Sequence, residues 1–253
     1  MNSREILLYS PTGLIDGSRR YDGILVIRIL LLWKSSYTPP VIYFGKSLVS
    51  NIWKYLSSPL LIIEEFIERT INSVISQAGD FEIEYIIMDG GSTDRSIDIV
   101  KKYAERIKNK EYPLQCRGIE LIWKSEKDKW QSDAINKWLH IATGDIVTYL
   151  NSDDTYNDNT LTTIVKALTE SGKKWCYGKC KIIDRHDVEI RRWITMYKNL
   201  LGKNYSYGKL LSENFISQMT VFWRKELLEE IGFFDLNEHL CMDYEYWLRM
   251  GEK

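Results

Sequence analysis

The chain has 253 residues, of which 44% are hydrophobic and 13% aromatic; this is enough apolar material for one large folded domain and excludes a wholly disordered chain. Its 34 basic and 35 acidic residues nearly cancel, so the composition gives no electrostatic footprint for nucleic acid. The four cysteines lack the spacing of a zinc site, and the N-terminus lacks the layout of a secretory signal. Together these features favour a cytoplasmic protein.

Residues 1–59 differ in character from the rest and are left as an unassigned N-terminal segment. Their most apolar run, residues 24–33, is about half the roughly 20 residues that a membrane-spanning helix needs, and it contains Arg28. We therefore interpret this run as a buried strand or an interfacial segment.

From residue 60 onward, short apolar runs alternate with segments whose apolar residues recur every three or four positions, which is typical of parallel βαβ units. Residues 60–253 are predicted to form one α/β domain, incomplete at both ends, with a mostly parallel central sheet flanked by helices. The predicted strands lie at 60–63, 82–88, 119–124, 146–150, 175–183, 188–196 and 220–224. The predicted helices lie near 65–77, after Asp94, at 131–142, after Asn159, at 225–231 and at 244–250.

Acidic residues follow two of these strands directly. DGGSTD at 89–94 combines a strand-end carboxylate, two glycines and cap residues for the next helix, and NSDD at 151–154 follows a second apolar run. Ligands of open α/β sheets collect where the strands end, and Mg²⁺ and Mn²⁺ prefer oxygen ligands. Each junction can equally be an ordinary polar turn. A polar loop between them places Asp128 and Asp133 within reach of the same crevice.

The order and spacing of six short motifs resemble the family 2 glycosyltransferases, which are inverting enzymes of the GT-A fold that use a nucleotide-diphosphate sugar. These motifs are FIERTINSV at 66–74, DGGSTD at 89–94, QSDAINK at 131–137, ATGDI at 142–146, LNSDD at 150–154 and MDYEYWLR at 242–249. Each is weak alone, but they occur in register over residues 64–250. The resemblance therefore implies a GT-A-type fold and transfer of a sugar to an acceptor hydroxyl.

The resemblance also implies roles for individual residues. Asp243 matches the general base toward the acceptor hydroxyl, and Asp153 matches the ligand of a divalent cation, Mn²⁺ or Mg²⁺, with Asn151 where many relatives have a further aspartate. The other residues assigned to substrate binding are Asp89 and Asp128 for the nucleoside, Ser92, Asp94 and Asp133 in the crevice, Asp154 at the turn or donor sugar, and Gln218, Trp247 and Arg249 on the acceptor side.

The expected partners are a nucleotide-diphosphate sugar and a sugar or lipid-linked acceptor, with peripheral membrane association and a location in the cytoplasm or at the inner face of the membrane. The chain also departs from the family. The usual Pro-Ser/Thr-Tyr/Phe-Asn segment does not follow the strand predicted at 60–63, and Trp130 stands where relatives carry glycine. A degenerate nucleotide-sugar-binding protein therefore stays open as an alternative. A nucleotidyltransferase is a weaker one, because residues 60–67 contain no glycine- and arginine-rich phosphate loop.

Overall fold

The computed structural model describes residues 63–126, 130–238 and 240–253, together with the backbone of three N-terminal strands. Its strands, in chain order, are β1 (Ser3–Arg4), β2 (Leu8–Tyr9), β3 (Leu25–Trp33), β4 (Gly79–Asp89), β5 (Cys116–Ser125), β6 (Ile146–Asn151), β7 (Thr155–Tyr156), β8 (Trp175–Gly178) and β9 (Val221–Arg224). Its helices are α1 (Ile63–Ile75), α2 (Ser96–Lys108), α3 (Gln131–Ile141), α4 (Thr160–Ser171), α5 (Arg192–Gly202), α6 (Tyr207–Ser212), α7 (Leu227–Ile231) and α8 (Met242–Gly251). The predicted α/β class is confirmed.

In the part of the chain that the structure describes, the main sheet has seven strands in the order β2-β8-β9-β6-β3-β4-β5. The strands β6, β3, β4 and β5 run parallel to one another, whereas β9 pairs antiparallel with β6 and β8. A strand that parallel partners flank on both sides belongs to the interior of a sheet. Both β3 and β4 meet this condition, and β3 pairs with β4 along its whole length and with β6 over six residues.

The position of β3 corrects the strand predicted at 60–63. Ile63 begins α1, and residues 60–62 lie outside the described residues. The strand next to β4 and β6 comes instead from the run at 24–33, which the sequence interpreted as a strand or an interfacial segment. The N-terminal segment, which the sequence analysis left unassigned, therefore supplies an interior strand of the sheet. The usual Pro-Ser/Thr-Tyr/Phe-Asn segment would follow β3 within residues 34–62, which lie outside the described part of the chain. The inference that this segment is missing was drawn at residue 63, after a strand that does not form there, and it therefore no longer holds.

The core consists of two layers, one on each face of the sheet. Side chains alternate between the faces along β4 and β6, as the two-residue period of a strand requires. Ile146 and Leu150 point toward the layer made with α1, α2 and α4, whereas Val147 and Tyr149 point toward the layer made with α3, α7 and α8. By the same period, Asn151 follows Tyr149 onto the α3 and α8 face.

The structure differs from the prediction a second time in the segment after β8. The strand predicted at 175–183 ends at Gly178, and the strand predicted at 188–196 is wrong because Arg192–Gly202 forms α5. In that segment the apolar residues Trp193, Met196, Tyr197 and Leu200 recur at helical spacing, and this spacing outweighs the strand preference of its aromatic residues. Within the described ranges, none of the helices is long and apolar enough to cross a bilayer.

Candidate active site

Three strands of the parallel part of the sheet end in polar residues at one edge. Asp89 ends β4, Ser125 ends β5 and Asn151 ends β6. The pairing register sets Asp89 opposite Ser125 on β5 and Asn151 opposite Leu32 on β3. Because parallel strands end at a common edge, the two acidic junctions of the sequence lie on the same side of the domain, where a crevice of an open α/β sheet forms.

Asp89 is almost completely buried and organises the first junction. Its carboxylate accepts hydrogen bonds from the Ser92 backbone N–H at 3.1 Å, from the Ser92 hydroxyl at 2.6 Å and from the Ser125 hydroxyl. The Glu126 N–H also donates to the Asp89 carbonyl at 2.9 Å. Asp89 and Ser92 therefore tie β4 to the end of β5 in a closed turn. In this structure the Asp89 carboxylate therefore accepts its hydrogen bonds from groups of the protein itself.

Asp94 has a local structural role at the start of α2. Its side chain accepts a hydrogen bond from the Ser96 N–H at 3.1 Å, and this satisfies one of the donors that a helix N-terminus leaves unpaired. The predicted cap residues, 92–94, lie just before the cap position, because α2 begins at Ser96 and its N-cap residue is Arg95.

Asn151 lies at the centre of an amide network at the second junction. Its Nδ2 donates to the Gln218 side-chain oxygen at 3.1 Å and to the Asp154 carboxylate at 3.3 Å, and its Oδ1 accepts from Gln131 at 3.3 Å. Gln218 in turn donates to the Tyr149 carbonyl at 2.6 Å. The network connects the end of β6 to the first residue of α3 and to the turn before β9. Gln131 was not among the predicted site residues.

The two aspartates of this turn have different surroundings. Asp154 is buried and bonded to Asn151, whereas Asp153 is exposed. The backbone beneath them is fixed, because Thr70 donates its buried hydroxyl to the Ser152 carbonyl at 2.8 Å. Within the described residues, no group of three or more His, Cys, Asp or Glu side chains gathers as a metal site. One exposed carboxylate beside an amide oxygen nevertheless suits Mg²⁺ or Mn²⁺, which usually takes one or two carboxylates while substrate phosphates fill the remaining positions.

Asp243 lies in the first turn of α8, where a negative charge interacts favourably with the helix dipole. It is mostly buried, and this burial raises the pKa of its carboxyl above the usual value. Three smaller effects lower that pKa: the hydrogen bond that the carboxylate accepts from the Tyr244 N–H at 2.7 Å, a hydrogen bond from its own backbone N–H, and the charge of Lys198 on α5.

Tyr149 joins the two halves of the site. Its ring stacks on Trp247 of α8 with centroids 6.5 Å apart, and the nearby Asp243 charge adds to the burial that raises the pKa of its hydroxyl. Two residues further along β6, Asn151 carries the amide network. The predicted base and the predicted metal turn, residues 151–154, therefore both lie near this buried ring. The signal in the sequence was the period of two, which places Tyr149 and Asn151 on one face.

Two residues assigned to the acceptor side have other roles in this structure. Trp247 is 0% exposed, with its indole packed between Tyr149 and Trp223, so it is a core side chain and does not line an open surface. Arg249 donates to Glu245 at 2.6 and 2.7 Å, to the Ile231 carbonyl and to the Phe233 carbonyl at 3.0 Å. Its guanidinium thus joins α8 to the end of α7.

Asp128 lies outside the described residues. Asp133, in the first turn of α3, forms an ion pair with Lys137 at 3.0 Å. Trp130, which precedes α3, is 41% exposed. Crowding by a buried indole therefore does not occur at this position. Trp138 is fully buried in the layer between the sheet and α3.

The chain is similar in sequence to glycosyltransferases and in fold to the solved structures of TarS. It is 27% identical over 198 residues to a PGL/p-HBAD biosynthesis glycosyltransferase of Mycobacterium tuberculosis, covering 76% of this chain and 66% of that one. The crystal structure of S. aureus TarS 1-349 superposes with a TM-score of 0.52 at 18% identity, covering 90% of this chain and 55% of that one. The crystal structure of TarS 1-349 in complex with UDP superposes with a TM-score of 0.50 at 19% identity, covering 87% of this chain and 53% of that one.

The chain therefore spans about two thirds of the length of the curated relative and about half that of the solved structures. The fold is of the GT-A type, as the resemblance implied. The family model for glycosyl transferase family 2 matches residues 62–232, and this chain belongs to that family.

Proposed function

We propose that this protein transfers a sugar from a nucleotide-diphosphate sugar to an acceptor hydroxyl, with metal assistance and with inversion at the anomeric carbon. The observation that supports it best is the arrangement around Tyr149. The Asp243 carboxyl, whose pKa is raised, lies near this ring, and residues 151–154, which include the exposed Asp153 carboxylate, begin two residues further along the chain. Family membership sets the reaction class, and a solved structure of similar fold is described as a complex with UDP.

Asp243 would act as the general base. A carboxylate that is partly removed from water is a stronger base than one in solution, so burial favours proton transfer from the attacking acceptor hydroxyl. Because the base acts from the acceptor side while the nucleoside diphosphate leaves from the opposite face of the sugar, the anomeric centre inverts.

Asp153, with Asn151, would hold the divalent cation. When bound, Mn²⁺ or Mg²⁺ neutralises the negative charge that develops on the departing diphosphate. Asp89, Ser92 and Asp94 would shape the nucleoside end of the crevice, and Asp154 would keep the metal turn in place through Asn151. Gln218 would support the same turn from the acceptor side.

Metal-dependent donor binding tests the metal turn. Calorimetric titration with UDP should show tighter binding in the presence of manganese, and Asp153→Ala should remove the difference between the two conditions. Asp158→Ala is the matched control, since Asp158 is an exposed aspartate five residues further along the chain. Equal affinity for UDP with and without manganese in the wild type would refute metal assistance.

Turnover tests the base. With an acceptor that supports transfer, Asp243→Asn should lower kcat by roughly a hundred- to ten-thousand-fold with little change in donor affinity. Glu229→Gln, which removes an exposed carboxylate from α7, should retain the wild-type rate. A near-normal rate in Asp243→Asn would move the assignment to Glu245 or Asp235.

The second candidate function is binding of a nucleotide sugar without turnover. The feature that keeps it open is Trp130, which departs from the family pattern directly before the helix that carries Gln131, although its indole is exposed and does not crowd the fold. Screening a panel of nucleotide sugars for hydrolysis or transfer, with the native chain and Trp130→Gly side by side, separates the two functions. Turnover by the native chain supports the transferase. Donor binding without turnover in both proteins supports the binding protein.

The acceptor is proposed to be a sugar or a lipid-linked molecule in a biosynthetic pathway for polysaccharides or related glycoconjugates. We place the protein in the cytoplasm, in peripheral association with the inner face of the membrane. The name of one relative refers to PGL/p-HBAD biosynthesis, which is compatible with an acceptor other than a simple soluble sugar.

A further inference from the structure

Helix α5 carries an apolar stripe on its outer surface. Trp193, Met196, Tyr197 and Leu200 follow one another at the spacing of one helix face, and they are 73%, 67%, 49% and 71% exposed. Single exposed apolar side chains are common on proteins, but a continuous stripe of four on one helix marks an interaction surface. Leu211 at the end of α6 is also exposed, and Glu213 just beyond it accepts a hydrogen bond from the Tyr197 hydroxyl at 2.9 Å.

The opposite face of α5 is fixed to the domain. Thr195 and Gly202 are buried, and the Gly202 carbonyl accepts a hydrogen bond from the Tyr177 hydroxyl at 2.7 Å. The Asn199 side chain donates to the Cys180 carbonyl at 3.1 Å and accepts from the Cys180 N–H at 3.4 Å. These contacts fix the rotation of the helix about its axis. The stripe therefore cannot turn inward without breaking them.

Basic residues predominate in the segment that carries this stripe, although Glu213 and Glu189 lie beside it. Five basic residues and no acidic residue occur between positions 191 and 209, in a chain whose basic and acidic residues nearly cancel overall. They are Arg191, Arg192, Lys198, Lys203 and Lys209. Of these, Arg192 has an acidic neighbour in Glu189, at 3.5 Å. A helix with an apolar stripe and basic flanks matches the interface of a membrane that contains anionic lipids.

We propose that α5 binds the surface of an anionic phospholipid membrane, with Trp193, Met196 and Leu200 inserted at the boundary between headgroups and acyl chains. The proposal builds on the proposed function, because it names the element behind the peripheral membrane association suggested above. Lys198 on the same helix lies close enough to Asp243 to influence its carboxyl. Membrane binding through α5 would therefore hold the candidate base near the bilayer, where the hydroxyl of a lipid-linked acceptor is presented.

Vesicle flotation of the full chain tests the inference directly. We expect binding to vesicles of phosphatidylcholine mixed with phosphatidylserine, and much weaker binding to vesicles of phosphatidylcholine alone. The double variant Trp193→Ser/Leu200→Ser should bind the anionic vesicles about tenfold or more weakly, because two apolar anchors are lost. Ile141→Ser/Leu236→Ser, which changes two exposed apolar residues elsewhere, is the matched control and should bind as the wild type does.

A charge variant distinguishes electrostatic binding to anionic lipids from nonspecific hydrophobic binding to vesicles. Arg191→Gln/Lys203→Gln should weaken binding to the anionic vesicles, and added salt should weaken the binding of the wild type in the same direction. Lys108→Gln/Lys166→Gln removes two exposed lysines from other helices and should have little effect. Equal binding to both vesicle types, or equal binding by the Trp193→Ser/Leu200→Ser variant, would overturn the proposal.

Two further measurements distinguish the remaining outcomes. If size-exclusion chromatography shows a dimer that Trp193→Ser/Leu200→Ser converts to a monomer, a second copy of the chain covers the stripe and the membrane proposal is wrong. Asp243→Asn should bind vesicles as the wild type does. Vesicle binding by a chain that turns over no nucleotide sugar would support the α5 proposal while refuting the proposed function, and turnover without vesicle binding would do the opposite.

Discussion

The folded protein is less stable when the Asp243 carboxyl is charged than when it is protonated. Burial raises its folded-state pKa above the ordinary value of 3.8, so between these two pKa values the folded chain binds more protons than the unfolded chain. The contribution of this residue to stability is therefore greatest at low pH and falls as the pH rises through that window. A base placed in this way costs the folded protein stability at neutral pH.

Asp243→Asn should consequently raise the melting temperature at pH 7, where the wild-type carboxyl is charged. The gain should shrink as the pH falls through the raised folded-state pKa and disappear below about pH 3, where the wild-type carboxyl is protonated in both the folded and the unfolded chain. Thermal unfolding of both proteins across this pH range measures the effect. A difference in melting temperature that does not depend on pH would show that the carboxyl is not desolvated as the structure indicates.

Asn151 is suited to its present neighbours because an amide both donates and accepts. In Asn151→Asp the new carboxylate would face the Asp154 carboxylate and the Gln218 side-chain oxygen, both of which now accept from Nδ2. We expect this variant to be less stable than the wild type without metal, by about 1–3 kcal/mol. Because a cation relieves the repulsion between carboxylates, manganese should restore more stability to the variant than to the wild type.

Urea unfolding of both proteins with and without manganese checks this expectation. Asn157→Asp, a change of the same kind just after β7, serves as the control for the added charge. If manganese stabilises Asn151→Asp no more than it stabilises the control, the turn after β6 does not bind the ion.

The sequence identified several residues of the candidate site because their positions follow from the sheet. Asp89 and Asn151 end strands that run parallel, so their proximity to one edge of the sheet could be predicted without a structure. The contacts of Gln131 and Tyr149 could not, because they depend on how α3 and α8 pack on that face. The same limit explains why Trp247 was expected on the acceptor side and lies in the core.

Among the elements, α7 and α8 depend on one side chain for part of their mutual arrangement. Arg249 occupies carbonyls at the end of α7 and of the chain just beyond it, while it also pairs with Glu245. A helix C-terminus leaves carbonyls unpaired, and a guanidinium supplies donors for two of them at once.

Arg249→Ala should lower the free energy of unfolding by about 2–4 kcal/mol, since it leaves these partners without a donor. Arg185→Ala, at an exposed arginine, should change stability by less than about 0.5 kcal/mol. Denaturant unfolding gives both values. Unchanged stability together with an increased KM for the acceptor would instead return Arg249 to the acceptor role that the resemblance implied.

The elements with a regular pattern were predicted well. The predicted strands at 82–88, 119–124, 146–150 and 220–224 agree with β4, β5, β6 and β9 to within a few residues, because apolar runs bounded by polar turns admit few other interpretations. The strand predicted at 188–196 failed for a physical reason. The apolar residues of this segment recur at helical spacing, but they form an exposed stripe instead of a buried face. The aromatic content of the segment favoured a strand, and the fold of the protein favours the helix.

For the whole molecule, the position of β3 bears on the predicted division of the chain at residue 60. A chain that begins at residue 60 would lack the strand that pairs with both β4 and β6. Expressed alone, residues 60–253 should fail to form the native sheet, and should show a broad thermal transition and weakened native circular dichroism. The full chain is the control. A cooperative transition in the shorter chain would mean that β4 and β6 can close the sheet without β3.

The connection between β3 and β6 also determines when the sheet can be completed during synthesis. Ile27 pairs with Ile146, so one side of the central strand stays unpaired until more than a hundred further residues have been made. At about 5–20 residues per second this interval lasts on the order of ten seconds. Throughout it, the nascent chain presents an apolar strand with an open edge, which is a template for aggregation. Nascent chains arrested before β6 should therefore recruit chaperones, and those arrested after it should not.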